Sequence, residues 1–179
     1  MTNYFPPGDW FKQSGEAALS AMREPALWRD TSIEGYSRRS RLLVVPSFQA
    51  PYAIRIDQPL GDLPEAHFVE TDGMGGYDPG RVASRERGFL EGEIIAALQD
   101  HIREARLGER LVEPEPGKDD FGNPSPDAYQ SVWLDGAKVI FEDRTVEGYA
   151  LVSRSDGDLD AALKVLAQVF LSARGAAQR

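Results

Sequence analysis

The sequence predicts an α+β fold: an antiparallel sheet with a C-terminal β-meander, packed by a long middle helix and a C-terminal helix. Three observations predict it. Short apolar runs, several alternating with polar residues, recur between 41 and 70 and again between 131 and 153. Residues 79–102 and 159–170 carry apolar side chains at helical spacing. Turn residues, Asp-Gly or clusters of Pro and Gly, punctuate the runs.

The chain of 179 residues fits a single globular domain, residues 1–179, with a substantial core. A hydrophobic fraction of 41% and a charged fraction of 27% are ordinary for such a domain. No apolar run approaches the roughly 18 residues that span a bilayer. The start, MTNYFPPGDW, lacks the basic then apolar pattern of a secretory signal. There is no cysteine, which excludes disulfides, thiolate zinc sites and a cysteine nucleophile. Together these point to the cytoplasm. Two histidines, His67 and His101, leave no basis for a histidine-rich metal site. The expectation is no metal and no cofactor. The net charge of −9 disfavours nucleic acid, whose phosphates need a basic face. It suits a basic protein partner, with complementary charge speeding the encounter. The plainer alternative is that acidity only maintains solubility.

The elements follow in order. The N-terminal helix region is 9–29. Asp9 is placed to cap it, its apolar positions are Trp10, Phe11, Ala18, Leu19 and Met22, and Pro25 ends or kinks it. Residues 30–40 read as a polar connection. Residues 41–45, RLLVV, are a short continuous apolar run that predicts a strand covered on both faces, stopped by Pro46. Residues 52–57 alternate, with Tyr52, Ile54 and Ile56 on one face, and the short link SFQAP makes the pair a hairpin. Residues 66–70 are a third strand.

Next comes the glycine-rich turn DGMGGY at 72–77. Asp78 and Pro79 predict the start of the long helix, with Val82, Leu90, Ile94, Leu98 and Ile102 near one face and a break near Gly88. Residues 113–129, with four prolines and two glycines, are a loop suited to recognition. Residues 131–134 and 137–141 flank Asp135-Gly136 and predict a type I′ hairpin, with Val132 opposite Val139. Residues 148–153 add a third strand. Asp156 or Asp158 is placed to cap the last helix, whose buried stripe is Leu159, Leu163, Leu166 and Phe170.

The turn is the first candidate site. Asp72, Tyr77, Arg81 and Arg85 form a candidate ligand-binding set, in which the arginines hold a carboxylate or phosphate beside a helix N-terminus. The turn matches neither GxxxxGK[ST] nor GxGxxG, and Asp72 and Asp78 repel phosphate. The plainer alternative is a tight turn in which Gly73, Gly75 or Gly76 takes positive φ. Glu70, Asp72 and Asp78 lack the acidic ladder of a calcium loop. A second candidate set, for a protein partner, is Trp133 with Asp119, Asp120 and Phe121. No nucleophile motif surrounds His67 or His101, so no catalytic residue is assigned.

The runs RLLVVPSFQAPYAIRI, TDGMGGYDPGRV and WLDGAKVIFE with EGYALVSRS resemble a group of uncharacterised bacterial proteins. These share a strand pair, a DG-x-GGY-x-PG turn, a long helix and a C-terminal meander. The resemblance covers most of the chain from about Leu42 onward and implies an immunity-protein-like fold without an assigned activity. It departs after Arg154, where Ser-Asp-Gly replaces the tryptophan and proline of that pattern. The function expected is a bacterial immunity-type protein that neutralises a toxin, such as a basic toxin domain, by binding. The alternative is an enzyme or small-anion-binding protein that uses the turn 72–85.

Overall fold

The computed structural model describes residues 3–7, 12–113, 118–124 and 136–177. Six strands form one antiparallel sheet in the order β4-β3-β2-β1-β5-β6. They are β1 (Tyr36–Pro46), β2 (Tyr52–Pro59), β3 (Glu65–Thr71), β4 (Val82–Phe89), β5 (Ala137–Thr145) and β6 (Tyr149–Ser155). Helices α2 (Gly92–Ala105) and α3 (Ala161–Ala177) cover one face, and α1 (Lys12–Met22) lies on the other. The α+β class, the 52–57 strand and the β1–β2 hairpin match the expectation.

The two-residue period of a strand divides the side chains between two cores. Leu42, Ile54, Phe68, Phe141 and Val152 point to α2 and α3, where they meet Leu98, Ile102, Leu163, Leu166 and Phe170. Leu43, Val45, Ala53, Val69, Ile140 and Leu151 point to the opposite face and meet Phe5, Leu19 and Met22. Gly15 brings α1 close to the sheet: a Cβ there would lie 3.1 Å from the Phe5 ring and 3.2 Å from Ile140. Each fully buried Leu or Phe contributes about 1.5–3 kcal/mol, so the double layer accounts for the central strands being apolar on both sides.

Several expectations are corrected. β1 begins at Tyr36, inside the expected connection 30–40, because Arg38, Arg39 and Arg41 each find a carboxylate across the sheet. The middle helix begins at Gly92 rather than Pro79. Asp78 Oδ1 instead accepts the N–H of Gly80 at 2.9 Å, Gly80 takes φ +75°, and the chain turns back to pair residues 82–89 with β3. Val82–Phe89 is an edge strand of exposed and half-exposed side chains, which carries no apolar alternation to announce it.

The expected pairing of Val132 with Val139 is not open to this sheet. Val139 already pairs with Val44 of β1 and Arg154 of β6, so both edges of β5 are occupied. The meander's third strand is therefore β1, and residues 131–134 lie outside the described residues, as does Asp9. The last helix is capped by Asp160, whose Oδ1 accepts the Leu163 N–H at 2.9 Å. Asp156 and Asp158 belong to a preceding 3-10 turn.

Glycine replacements separate crowding from mere backbone freedom. A Cβ at Gly75 would lie 2.6 Å from the Pro46 carbonyl oxygen. At Gly175, inside α3, it would meet nothing. Gly75→Ala is expected to destabilise by about 1–3 kcal/mol and Gly175→Ala to stabilise by about 0.5–1 kcal/mol, as read by urea unfolding. Equal midpoints for the two variants would refute the packing described for the turn.

Candidate functional site

The glycine turn is a mounting rather than a cradle. The N–H groups of residues 73–77 donate in succession to the carbonyls of Pro79, Asp78, Gln49, Ser47 and Met74, so none is left to face an anion. None of Gly73, Gly75 and Gly76 takes positive φ; among the turn glycines only Gly80 does. Their requirement is steric. A Cβ would lie 2.2 Å from the Asp78 carbonyl at Gly73 and 2.9 Å from the Ser47 carbonyl at Gly76. The β3–β4 turn is thereby laced onto the β1–β2 link.

The four expected ligand residues do not converge. Asp72 Oδ1 accepts the backbone N–H of Arg81 at 2.7 Å, which closes the turn. Arg85 lies on β4 and donates to the Met22 carbonyl at 2.6 Å, at the end of α1. Tyr77 is turned outward, 69% exposed, with its ring 5.7 Å from that of Phe48, itself 53% exposed. Met74 is exposed on the same turn. The lacing thus presents two large aromatic rings and a thioether to solvent on a backbone with little freedom.

The second expected set is divided. Trp133 lies outside the described residues. Asp120 is buried between Arg110 and Arg154, with Oδ1 3.2 Å from Arg154 Nε, and so is not a surface contact. Asp119 is half-exposed, and its Oδ1 is engaged by the N–H groups of Phe121 and Asn123 at 2.9 and 2.8 Å. Hydrogen bonds from Asn123, foremost its side chain, hold the Asp119 carboxyl below its ordinary range. Phe121 is partly exposed, with the guanidiniums of Arg106 and Arg110 4.7 and 5.3 Å from its ring centre.

The largest polar cluster was not anticipated. Beyond the end of α1, the α1 face of the sheet changes from apolar to charged. One register row runs Arg87, His67, Arg55, Arg41 and Glu142 from β4 to β5. The next runs Glu65, Asp57, Arg39 and Arg144 from β3 to β5. Arg55 stands directly opposite Arg41, and Arg39 opposite Arg144, like-charge pairs that would destabilise the sheet unless acids compensate them. Asp57 accepts from Arg39 at 2.8 Å and from Arg55 at 3.0 Å. Glu24, just after α1, accepts from Arg55 at 2.5 Å. Glu142 accepts from Arg41 Nε at 2.6 Å and from the Tyr149 hydroxyl at 2.7 Å. Arg41 Nη2 also lies against that carboxylate, without hydrogen-bond geometry. Glu65 is gripped by both ends of Arg87, at 2.9 and 2.6 Å.

The pKa directions follow from this arrangement. Burial lifts Asp57, but the Arg55 and Arg39 guanidiniums outweigh it and hold the carboxyl below its usual 3.8. Burial outweighs Arg41 at Glu142 and raises that carboxyl above 4.5. Burial and then Glu142 push the Tyr149 hydroxyl well above 10, so it remains a donor. Burial, followed by Arg55, lowers His67 below 6.5, although its Nε2 lies 3.4 Å from both Asp57 and Glu65. His67 is therefore neutral at neutral pH. His101 is remote from this cluster in sequence and bonds Glu104 at 2.8 Å on α2. The acidic oxygens of the cluster are engaged by guanidiniums, and the geometry is that of a structural clamp. Among the described residues no His, Asp and Glu group has a metal-holding arrangement.

The period-two charges beside Leu42, Ile54 and Phe141 were the signal available in the sequence. Strands buried on both faces that alternate charge with apolar residues require internal pairing. Glu142→Ala, which leaves the fully buried Arg41 only the Glu24 carboxylate at 3.6 Å and the Pro25 carbonyl, is expected to cost about 3–5 kcal/mol. Arg87→Ala, on the exposed rim, is expected to melt close to the parent, because a solvent-screened pair contributes little. His67 binds protons more weakly folded than unfolded, so its contribution to stability is complete above pH 6.5 and declines as pH falls below that value. His67→Gln is expected to flatten this decline in a pH series of thermal melts. An unchanged profile would remove His67 from the titration.

No protein-family model matches the chain, and no curated protein matches it.

Proposed function

We propose that this protein acts by binding another protein without turnover, as an immunity-type inhibitor that neutralises a toxin in the cytoplasm. The observation that carries this reading is the exposed Phe48–Tyr77 pair with Met74 beside it, held on a turn whose N–H groups are all engaged. Aromatic side chains and Met are enriched in protein interfaces, and a few buried rings supply most of the binding energy. A preformed mounting lowers the ordering cost of association. The net charge of −9 favours a basic toxin domain and raises the rate of encounter. Asp119 and Phe121 offer a second, smaller contact on the loop 118–124.

Co-expression with a toxin encoded beside its gene is expected to restore growth and to yield a one-to-one complex. A Phe48→Ala/Tyr77→Ala variant is expected to melt with the parent and yet bind more weakly by about 2–4 kcal/mol, the scale of one or two hot-spot rings. Full protection at clearly substoichiometric amounts would show that the protein turns over and overturn the reading. Unchanged affinity of the double variant would move the interface elsewhere.

A further inference from the structure

The segment between α1 and β1 covers the charged rows on its inner side and forms a cleft on its outer side. The cleft, about 420 Å³, is lined by Tyr4, Ser20, Arg23, Arg29, Thr31 and Ser32, with Pro25 and Ala26 as an apolar wall. That volume is within the usual range for a small-molecule site. Arg23 and Arg29 distinguish it. Arginine in this protein is generally spent on a carboxylate: Arg39 and Arg55 on Asp57, Arg41 on Glu142, Arg110 on Asp120. Among the described residues Arg23 and Arg29 pair with none, although the chain is acidic overall.

Both arginines are fixed at their backbones. Arg23 follows α1 with φ +55°, its N–H donating to Ser20 and the next N–H, of Glu24, to Leu19. This is the helix-ending motif in which glycine is the usual residue at the left-handed position. Arg29 precedes a 3-10 turn, and its guanidinium lies 5.8 Å from the Trp28 ring centre. Trp28 is itself anchored by donating to the Asn3 carbonyl at 2.9 Å. Glu24 is the one acid in the cleft wall, and its carboxylate is held inward by Arg55. The cleft therefore has two guanidiniums without a carboxylate partner among the described residues, hydroxyls from Thr31 and Tyr4, and a neutralised acid behind them.

We propose that this cleft binds a small soluble oxyanion, a phosphate or carboxylate carried on a compact organic body. The two guanidiniums would grip the anion through charge-assisted forks, and Pro25 and Ala26 would receive the body. The site is separate from the Phe48–Tyr77 surface and does not rest on the toxin-binding reading.

The test is a titration of the intact protein with inorganic phosphate and with citrate, against chloride at matched ionic strength, followed by backbone amide NMR. Saturable shifts confined to residues 20–32 are expected for at least one anion. The variant Arg23→Gly/Arg29→Gln is suited to the comparison, because glycine is favoured at positive φ and Arg29 is exposed. It is expected to weaken binding by at least about tenfold, through loss of two charge-assisted contacts. Arg81→Gln, which removes another exposed arginine outside the cleft lining, is expected to bind as the parent does. Absence of saturable shifts with both anions, unchanged affinity in the double variant, or loss of binding in Arg81→Gln would each overturn the proposal.

Discussion

The contact between Arg41 and Glu142 is the constraint on which the α1 face depends. Both side chains are fully buried in adjacent central strands. A guanidinium out of water needs its donors satisfied, and one carboxylate does not supply enough acceptors. Part of the remainder comes from outside the sheet: Arg41 Nη1 donates to the Pro25 carbonyl at 2.8 Å and lies 3.6 Å from the Glu24 carboxylate. Arg39 Nη1 similarly reaches the Ser32 carbonyl at 2.9 Å, and Arg144 reaches Asp30 at 2.8 Å. The irregular chain between α1 and β1 is thus drawn across the charged rows by the groups it must satisfy. Pro25 lacks an N–H but retains its carbonyl, which suits it to end a helix and still serve a buried cation.

The charged rows also fix the sheet's register. A slip of one residue in β1 would exchange Arg41 with Leu42, placing a guanidinium among Phe141, Leu98 and Phe170 and leaving Glu142 without its partner. Such a slip loses apolar burial on one face and strands charge on the other. On the helix face, the same end of the sheet is polar as well. Asp143 there accepts from both ends of Arg38 at 2.7 Å and from Ser40 at 2.7 Å, and Gln58 pairs with Gln99. The sheet is therefore apolar toward the glycine turn and polar toward the other end.

This division explains what could be read from the sequence. The 41–45 run was legible because it is continuously apolar from Leu42, and the 52–57 strand and the stripe Leu163, Leu166 and Phe170 because they keep a clean apolar period. The first part of β1 was not, since YSRRS resembles a solvated connection until Asp57, Glu142 and Asp143 are known to lie across from it. β4 was missed for a related reason. An edge strand with Arg85, Glu86 and Arg87 in succession is protected against further pairing, and that protection erases the alternation that marks a strand. The Asp78-Pro79 signal is chemically sound for a helix start, but Asp78 caps the Gly80 N–H of a turn with the same oxygen. Local capping chemistry does not distinguish the two; the pairing of 82–89 with β3 does. The turn stands out in the sequence as a candidate site, but glycine density alone does not reveal how its glycines are used. Positive φ and close backbone approach both select glycine, and only the position of the β1–β2 link separates them.

The same close approach connects the fold to the proposed binding surface. At Gly75 and Gly76 the turn contacts Pro46 and Ser47, the residues at which central β1 leaves the sheet. β1 is held on both edges and anchored by its arginines, so its end is a fixed point. Exposed rings on a mobile loop would lose rotational and backbone freedom on binding and would tend to collapse onto their own surface. Tyr77 and Phe48 are instead carried on two turns joined by the Gly75–Gln49 and Gly76–Ser47 hydrogen bonds, at 3.0 and 3.2 Å. The cost of ordering them is met during folding, by the packing of the central strand, and not during association. A glycine-rich sequence thereby produces a rigid surface, because each absent Cβ permits a backbone contact that a side chain would prevent.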